Sequence, residues 1–352
     1  MRLNTSYRTR KMKNHINIPI FIPHLGCPNI CVFCNQVKIS GCAHADFSSV
    51  RHQIDEALTT VKDGQTAQLA YFGGSFTGID REDMIYLLSL AKEYIDRGAI
   101  ESVRLSTRPD YIDEEILDIL SRYGVRSIEL GLQSMSDKVL TATKRGHDAA
   151  AAERAMRLIR DRGFGLTGQM MIGLPSSAPQ DEIYTARRIM ELGADSARVY
   201  PTVVFCGTEL ENMAKRGEYV MPTLDELIDR TSDVLYEFAE RNIPVIRVGL
   251  QNTEVLQTGD GVYSDTYTPA MGEICMSRVY RRLICEALDK VRHTDSMTLT
   301  VARGETSKAI GQHGDNRKYI SQRYGIGKLT VRESDSLTPY RIELTDTAAP
   351  SQ

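Results

Sequence analysis

Three cysteines stand close together near the start of the chain, at Cys27, Cys31 and Cys34, with C-x3-C-x2-C spacing. Four thiolates enclose a structural zinc ion or an electron-transfer cluster, so three thiolates leave one coordination position open. Three thiolates on one loop can hold three irons of a [4Fe–4S] cluster and leave the fourth iron available to a small ligand. Because an open position is typical of a metal site that performs chemistry, these cysteines are candidate catalytic and metal-ligating residues.

Two other interpretations of the cysteines remain open. The thiols could be buried without any ligand, or they could form a zinc site together with His24. Zinc loops usually come as two separated pairs of ligands, and no second pair follows downstream. Cys42 is the candidate for a fourth cluster ligand, whereas Cys206, Cys275 and Cys285 are scattered like ordinary small apolar residues.

Composition limits the class of protein. The chain has 352 residues, 41% of them hydrophobic, which is enough for one large domain and one small domain. A net charge of −3 gives no global attraction to nucleic acid or to a membrane surface. No secretory signal and no apolar run of membrane length is present, so we expect a cytoplasmic protein with reduced thiols and no membrane partner. Residues 1–15 are expected to be a basic tail, and residues 347–352 a disordered tail.

Strand-like and helix-like patterns alternate along residues 16–255. Such alternation predicts an α/β fold with a parallel sheet, and ligands bind at the carboxyl ends of parallel strands. The number of units alone does not separate an open sheet from a partial barrel. Residues 256–292 are expected to be a linker or lid followed by a helix. The predicted strands are Ile16–Ile22, Ala67–Phe72, Ser102–Thr107, Arg126–Gly131, Leu166–Gly173, Ser196–Tyr200 and, last, Ile243–Gly249.

The cysteine spacing, with the aromatic Phe33 before the last cysteine, resembles the signature of radical S-adenosylmethionine (radical SAM) enzymes. The pattern G-L-Q-S…R-G-H, from Gly131 to His147, is similar to that of the elongator catalytic-subunit family and of the oxygen-independent coproporphyrinogen oxidases. The resemblance covers about residues 16–290 and implies a partial (β/α)6 barrel over residues 16–255.

The same resemblance implies the cofactors. Three cysteines would hold a [4Fe–4S] cluster, and S-adenosylmethionine would bind its open iron. An electron from a low-potential donor would then cleave the cofactor to methionine and a 5′-deoxyadenosyl radical, which abstracts hydrogen from the substrate. The chain is too short to hold the acetyltransferase domain of the elongator subunit as well, so we do not expect acetyl-CoA chemistry.

Site residues follow from the resemblance as well. Gly73 and Gly74 would hold the methionine amine, and their missing side chains permit close approach. Gln133 would contact the ribose, and Arg145 would pair with the methionine carboxylate. Glu129 lies in the predicted barrel interior, either as a catalytic residue or in an ion pair. The remaining expected cofactor contacts are Phe33, Ser75, Ser106 and Gln169; a glutamate usually stands where Ser106 lies, which leaves the ribose contact open.

Residues 293–346 differ from the rest, with the predicted order strand, helix, Gly-x-x-Gly, helix, strand, strand. The segment resembles the core of a KH domain, in which such a loop lets a nucleic-acid backbone lie against two helix ends. Asp315 is expected to cap the second helix. A structural α+β cap on the barrel is the alternative. The expected RNA contacts are Gly311, Gln312, His313, Gly314, Asn316 and Arg317.

The sequence therefore favours a radical SAM enzyme that acts on RNA, with tRNA as the expected partner. One alternative is a radical SAM oxidoreductase acting on a small molecule such as a porphyrinogen. Another is a non-enzymatic iron–sulfur or zinc protein that binds RNA.

Overall fold

The computed structural model of the chain describes residues 15–22, 27, 31–35, 47–251, 254–292 and 294–346, with the side chains of residues 254 and 255 excepted. The predicted tails lie outside the described residues, apart from residue 15. His24 and Cys42, the alternative ligands, also lie outside them.

The main body is a half-barrel made of a seven-stranded parallel sheet in the described residues. The strands lie side by side in chain order, and each pair of neighbours is parallel, as the alternating pattern predicts. The strands are β1 (His15–Ile22), β2 (Thr66–Gly73), β3 (Ser102–Thr107), β4 (Val125–Gln133), β5 (Gly165–Ile172), β6 (Ser196–Pro201) and β7 (Val245–Val248).

Helices join the strands and cover one face of the sheet. Several begin at polar caps: Asp113 accepts a hydrogen bond from the Ile116 amide, and Thr223 forms a capping box with Glu226. The sequence analysis did not predict the first and seventh helices. The eight are α1 (Val50–Leu58), α2 (Arg81–Asp96), α3 (Glu114–Arg122), α4 (Asp137–Ala142), α5 (Ala149–Asp161), α6 (Pro179–Glu191), α7 (Glu209–Lys215) and α8 (Leu224–Glu240).

The two faces of the sheet differ in chemistry because side chains alternate along each strand. Ile128 and Leu130 of β4 are fully buried on the helix side, in the main hydrophobic core. The opposite, concave face carries polar side chains, some bonded across strands: Gln68 to Ser102 at 2.8 Å, for example. A concave face of this kind can receive a polar ligand.

Two further helices precede the carboxyl-terminal module: α9 (Glu254–Thr258) and α10 (Met271–Leu288). The first half of α10 packs in the main core through Cys275 and Val279, and the second half packs in a separate core through Ile284 and Leu288. The helix predicted beside a linker or lid is therefore shared by both hydrophobic cores.

The module itself follows the predicted order of elements. It contains β8 (Ser296–Ala302), α11 (Thr306–Ile310), α12 (Asp315–Tyr324), β9 (Lys328–Ser334) and β10 (Ile342–Asp346), in the sheet order β10-β8-β9. Strand β9 is parallel to β8, and β10 is antiparallel to it. The prediction that Asp315 caps the helix is wrong: Gly314 is the N-cap in a left-handed conformation, while the Asp315 carboxylate binds Arg281 at 2.7 Å.

Among the described helices, none combines the length and the hydropathy that a bilayer span requires.

Candidate functional site

The cysteine loop is fixed at the carboxyl ends of the strands by backbone hydrogen bonds. The Val32 amide donates to the Thr143 carbonyl at 3.2 Å, and the Leu210 amide donates to the Val32 carbonyl at 2.7 Å. Val32 is buried in a small apolar cluster against which Phe33 packs. The loop therefore sits where a parallel sheet binds its ligands, between the segments that follow β4 and β6.

Arg145 connects this loop to β4. It is 5% exposed, and its Nη1 donates to the Cys31 sulfur at 3.2 Å while Nη2 donates to the Gly131 carbonyl at 2.6 Å. Its Nε is buried and has no hydrogen-bond partner among the described residues. The structure thus brings Arg145 and Cys31 together, while their expected roles in binding the cofactor and the cluster stay predictions.

Arg108 is a site residue that the sequence analysis missed. Its Nε and Nη2 donate to the two oxygens of Asp110 at 2.9 and 2.8 Å, and Nη2 also donates to the backbone carbonyl of Arg145. The residue is 4% exposed, and its Nη1 lacks a partner in the described part of the chain. The sequence feature that could have identified Arg108 is the R-P-D run directly after a buried strand, because it places a charged pair at the ligand end of the sheet.

The charges of this group act on neighbouring titratable residues. Burial raises the pKa of the Cys27 thiol, although the positive charge of Arg108 acts in the opposite direction. Burial, with the charge of Arg145, lowers the pKa of His147 to about 4. Burial alone would raise the pKa of Asp110, but hydrogen bonds from Arg108 outweigh it and hold that pKa below its usual value. The carboxylate of Asp110 lies 3.8 Å from Nδ1 of His147.

The Gly-Gly pair forms a turn that only glycine can make at its first position. Gly73 has φ +112°, and a Cβ there would lie 2.5 Å from the Ile22 carbonyl oxygen. The Gly74 amide donates to that same oxygen at 2.7 Å. The buried Ser75 hydroxyl accepts from the Arg108 amide at 3.2 Å. The turn is therefore locked between the ends of β1 and β3.

Gln133 ends β4 in an unusual conformation, with φ +66°. It is 6% exposed, and its Oε1 has no hydrogen-bond partner within the described chain. Gln169 is half-buried and lies opposite Gly131 in the register of β4 and β5. Ser106, also half-buried, donates to Oε2 of Glu129 at 3.4 Å.

Glu129 lies fully buried in an ion-pair network on the concave face. Its oxygens are 3.0 Å from Nη2 of Arg104 and 2.9 Å from Nε of Arg198. The geometry is that of the ion pair that the sequence analysis left open, and a catalytic role for Glu129 stays a prediction.

The Gly-x-x-Gly loop connects α11 to α12 through positive φ angles at Gly311, His313 and Gly314. A Cβ at Gly311 would lie 2.8 Å from the Asn316 amide, so this position requires glycine. His313 and Arg317 are exposed, and Gln312 is half-buried.

Asn316, the fifth expected RNA contact, is fully buried. Its Nδ2 donates to the carbonyls of Ser277 at 2.8 Å, Ala309 at 3.1 Å and Lys308 at 3.2 Å, and its Oδ1 accepts from Arg281 at 2.9 Å. The Asn316 side chain therefore makes its hydrogen bonds within the protein, and we leave it out of the RNA surface proposed below.

Several buried polar side-chain atoms around the cysteine loop have no hydrogen-bond partner among the described residues. Within the described residues no three thiol, imidazole or carboxylate groups stand close enough together to hold a metal ion. Five buried polar atoms near the loop nevertheless lack hydrogen-bond partners in the described residues: Gln133 Oε1, Arg145 Nε, Arg108 Nη1, and Nδ1 and Nε2 of His147. Buried polar atoms are rarely left without partners, so these atoms suit a polar, charged ligand at this place. Thiolates are the donors that iron–sulfur clusters use.

Comparison with protein families agrees with this site. A model of the radical SAM superfamily matches residues 21–189, and a model of the radical SAM C-terminal domain matches residues 194–281.

Individual proteins also match this chain, at low sequence identity. An uncharacterized protein of Methanocaldococcus jannaschii is 29% identical over 259 residues, which cover 69% of this chain and 77% of that protein. The tRNA uridine(34) acetyltransferase of Methanocaldococcus infernus is 34% identical over 131 residues, or 36% of this chain and 24% of that protein.

A solved structure shares the fold. The archaeal Elp3 of Methanocaldococcus infernus, with an N-terminal deletion, aligns with a TM-score of 0.59 at 20% identity, covering 78% of this chain and 64% of that one. The chain thus spans less than two thirds of this structure and of the acetyltransferase. With the matched domains, the parallel half-barrel and the cysteine loop at its ligand end, the chain belongs to the radical SAM superfamily, whose members imply a [4Fe–4S] cluster and S-adenosylmethionine.

Proposed function

We propose that this radical SAM protein modifies RNA, with tRNA as its substrate. The observation that carries the catalytic part is the buried position of Arg145, which joins Cys31 to the end of β4 and keeps an unpaired Nε. The cysteines Cys27, Cys31 and Cys34 would hold the cluster. When bound, cluster and cofactor together supply an organic radical that removes a hydrogen atom from the substrate.

The protein's own residues bind and orient the cofactor in this proposal. Gly73 and Gly74 would hold the methionine amine at the turn that follows β2, whose backbone is fixed against the Ile22 carbonyl. Arg145 offers its unpaired Nε to the carboxylate, and Gln133 offers Oε1 to a ribose hydroxyl. Because these groups are already buried and held, little reorganisation is needed when the ligand arrives.

Further contacts line the same end of the sheet. Phe33 packs beside the cysteine loop, Ser75 fixes the turn after β2, and Ser106 and Gln169 reach the concave face from β3 and β5. A low-potential electron donor is required as a partner, since the proposed reaction begins with a reduced cluster.

Two observations support RNA as the substrate. The first is the loop at Gly311–Gly314, which has positive φ angles, exposes His313 and leads into α12. The second is the similarity to a protein named tRNA uridine(34) acetyltransferase. The module would present an unpaired nucleotide to the half-barrel, and such nucleotides are the usual targets of base chemistry.

The catalytic part is tested by S-adenosylmethionine cleavage in anaerobically reconstituted, chemically reduced protein. We expect cleavage by the wild type and a loss of about 10–100-fold in the Arg145→Lys variant, because lysine cannot reproduce the planar guanidinium contacts. Arg157→Lys, on the exposed surface of α5, is the matched control and should cleave at the wild-type rate. Isolation of the protein with zinc in place of iron and sulfide would contradict the proposal.

The RNA part is tested by nucleoside mass spectrometry of tRNA from cells with and without the gene. We expect one modified nucleoside to disappear. Binding of bulk tRNA should weaken about three- to tenfold in Arg317→Gln, which removes an exposed charge beside the loop. An unchanged nucleoside profile would instead favour a small-molecule substrate.

A further inference from the structure

A row of side chains crosses the concave face of the half-barrel at one level. The strand register pairs Gly131 with Gln169, Gln169 with Arg198, and Arg198 with Arg247. Residues at paired positions of parallel strands point to the same face. The register shifts between Ala197 and Arg198, so that Arg247 rather than Ile246 pairs with Arg198. Val248, the next residue of β7, packs against the main core, which agrees with Arg247 pointing away from it.

Positive charge is in excess along this face. Glu129 is the one carboxylate in the seven strands of the half-barrel, and it contacts both Arg104 and Arg198, whose side chains are 15% and 17% exposed. One carboxylate thus serves two guanidinium groups. Arg247, half-buried, makes no hydrogen bond or ion pair with any side chain that the structure describes.

A purely structural role does not explain this arrangement. Two cations at directly paired strand positions repel each other, and burial makes an unbalanced charge costly. Burial lowers the pKa of the Arg104 guanidinium; the charge of Glu129 raises it and that of Arg198 lowers it, so the one carboxylate does not offset burial and the second cation at Arg104. Unbalanced charge in a concave, ligand-binding face is typical of a site that receives the opposite charge from its ligand.

One end of this row lies near the cysteine loop, and Arg247 lies at the other end. The carbonyl of Gly131 accepts the Arg145 hydrogen bond, and Arg145 donates to Cys31. Arg247 lies three strands further on, roughly 14 Å away at the usual strand spacing. A substrate that lies along the row would therefore meet the cofactor at one end and Arg247 at the other.

We propose that Arg247, with Arg198 beside it, binds a phosphate group of the substrate in the concave face. The fork of donors on a guanidinium matches a phosphate, and Arg198 is already oriented by Glu129 and by the Tyr200 hydroxyl at 3.2 Å. If the substrate is tRNA, the group is a phosphodiester next to the modified nucleotide, and the inference then rests on the proposed function. A free nucleotide would present the same chemistry.

The experiment compares Arg247→Gln and Arg247→Lys with the wild type in bulk tRNA binding over a series of salt concentrations. We expect Arg247→Gln to lower affinity about tenfold and to reduce the slope of log K against log salt by about 0.7–0.9, the value for one lost phosphate contact. Arg247→Lys keeps the charge and should keep the slope. Arg126→Gln is the matched control, since Arg126 is an exposed strand arginine on the other face of β4.

A second arm separates the two sources of phosphate. Nucleoside 5′-monophosphates are titrated into the same proteins: loss of their binding in Arg247→Gln with tRNA binding unchanged assigns the site to a free nucleotide, and loss of tRNA binding assigns it to RNA. Equal binding of both ligands by Arg247→Gln and the wild type overturns the inference, as does binding of neither by the wild type. Failure of the proposed enzyme activity is scored separately, by S-adenosylmethionine cleavage in the wild type.

Discussion

Four charged or titratable residues meet beside the cysteine loop, and three of them, Arg108, Arg145 and His147, are buried. Arg108 and Asp110 come from the segment after β3, and Arg145 and His147 from the segment before α5. Each arginine contacts the other segment or the cysteine loop, so the four residues act as one unit. Clusters of buried titratable groups with shifted pKa values are concentrated at functional sites, which agrees with the position of this one.

His147 makes stability depend on pH. Its pKa is about 4 in the folded protein, because of burial and the charge of Arg145, against about 6.5 in an unfolded chain. Between these values the unfolded chain binds a proton that the folded protein does not. The free energy of unfolding should therefore fall as pH drops from about 6.5 to 4, by on the order of 3 kcal/mol, with no effect above pH 7.

Urea unfolding of the apo protein at pH 7, 5.5 and 4.5 measures this effect. His147→Gln should flatten the pH dependence, whereas His52→Gln, at an exposed position on α1, should leave it as in the wild type. The Asp110 carboxyl stays ionised through this window because its pKa lies below the usual value. A pH dependence that survives in His147→Gln would show that another group is responsible.

Sequence reasoning found only part of this site, for a physical reason. Cys31, Gly73 and Arg145 belong to spaced motifs that can be read locally. Arg108 donates to the carbonyl of a residue 37 positions away, and no local pattern reports such a contact. Asn316 shows the opposite error: it stands next to a loop motif, yet the fold buries it against α10.

At the scale of elements, the loop after β5 is held by a buried ion pair. Glu182 is 2% exposed; its Oε1 accepts from the Gly173 amide at 2.7 Å, and its Oε2 accepts from Nε of Arg230 at 3.0 Å. The Tyr219 hydroxyl donates to the Gly173 carbonyl at 2.6 Å. Helices α6 and α8 thus fix the loop that follows β5, the strand that carries Gln169.

Glu182→Gln should test this support. The amide keeps an acceptor for Gly173 but leaves the half-buried Arg230 without a counter-charge, so we expect a loss of about 3 kcal/mol in the free energy of unfolding. Hydrogen exchange at the Gly173 amide should become faster. Glu153→Gln is the control, since its pairs with Arg157 and Arg188 are more exposed and should cost under about 1 kcal/mol. Equal losses in the two variants would contradict the assigned role.

The parallel sheet could be predicted because its strands are short apolar runs between helical patterns. Strand ends differ by one or two residues: β4 begins at Val125 rather than Arg126 and extends to Gln133, whose positive φ no pattern indicates. Helix α7 has seven residues and lies in what reads as a polar turn, so its periodicity is too short to identify. Its Leu210 amide, which fixes the cysteine loop, was accordingly not predicted as a contact.

At the scale of the whole molecule, α10 links the half-barrel to the carboxyl-terminal module. The Tyr236 hydroxyl of α8 donates to Glu286 at 2.9 Å, and the Ser277 hydroxyl donates to the Lys308 carbonyl at 2.8 Å. The Tyr280 hydroxyl donates to Glu305 at 3.0 Å. One helix therefore carries contacts to both bodies, and its sequence shows apolar residues on two faces rather than one stripe.

This sharing predicts that the two bodies unfold together. Ile284→Ala opens a cavity in the module core and should cost about 2–4 kcal/mol, and Val279→Ala, earlier on the same helix and in the main core, about 2 kcal/mol. Because both residues lie on α10, each variant should shift the same single transition, followed by tyrosine fluorescence and by circular dichroism.

Val291→Ala, at an exposed position just after the helix, is the control and should change stability by less than about 0.5 kcal/mol. If Ile284→Ala instead separates an early transition that Val279→Ala does not affect, the module folds independently of the half-barrel. In that case α10 would be a linker, as its sequence position alone suggests, and the contacts of the module with the half-barrel would not be required for the module to fold.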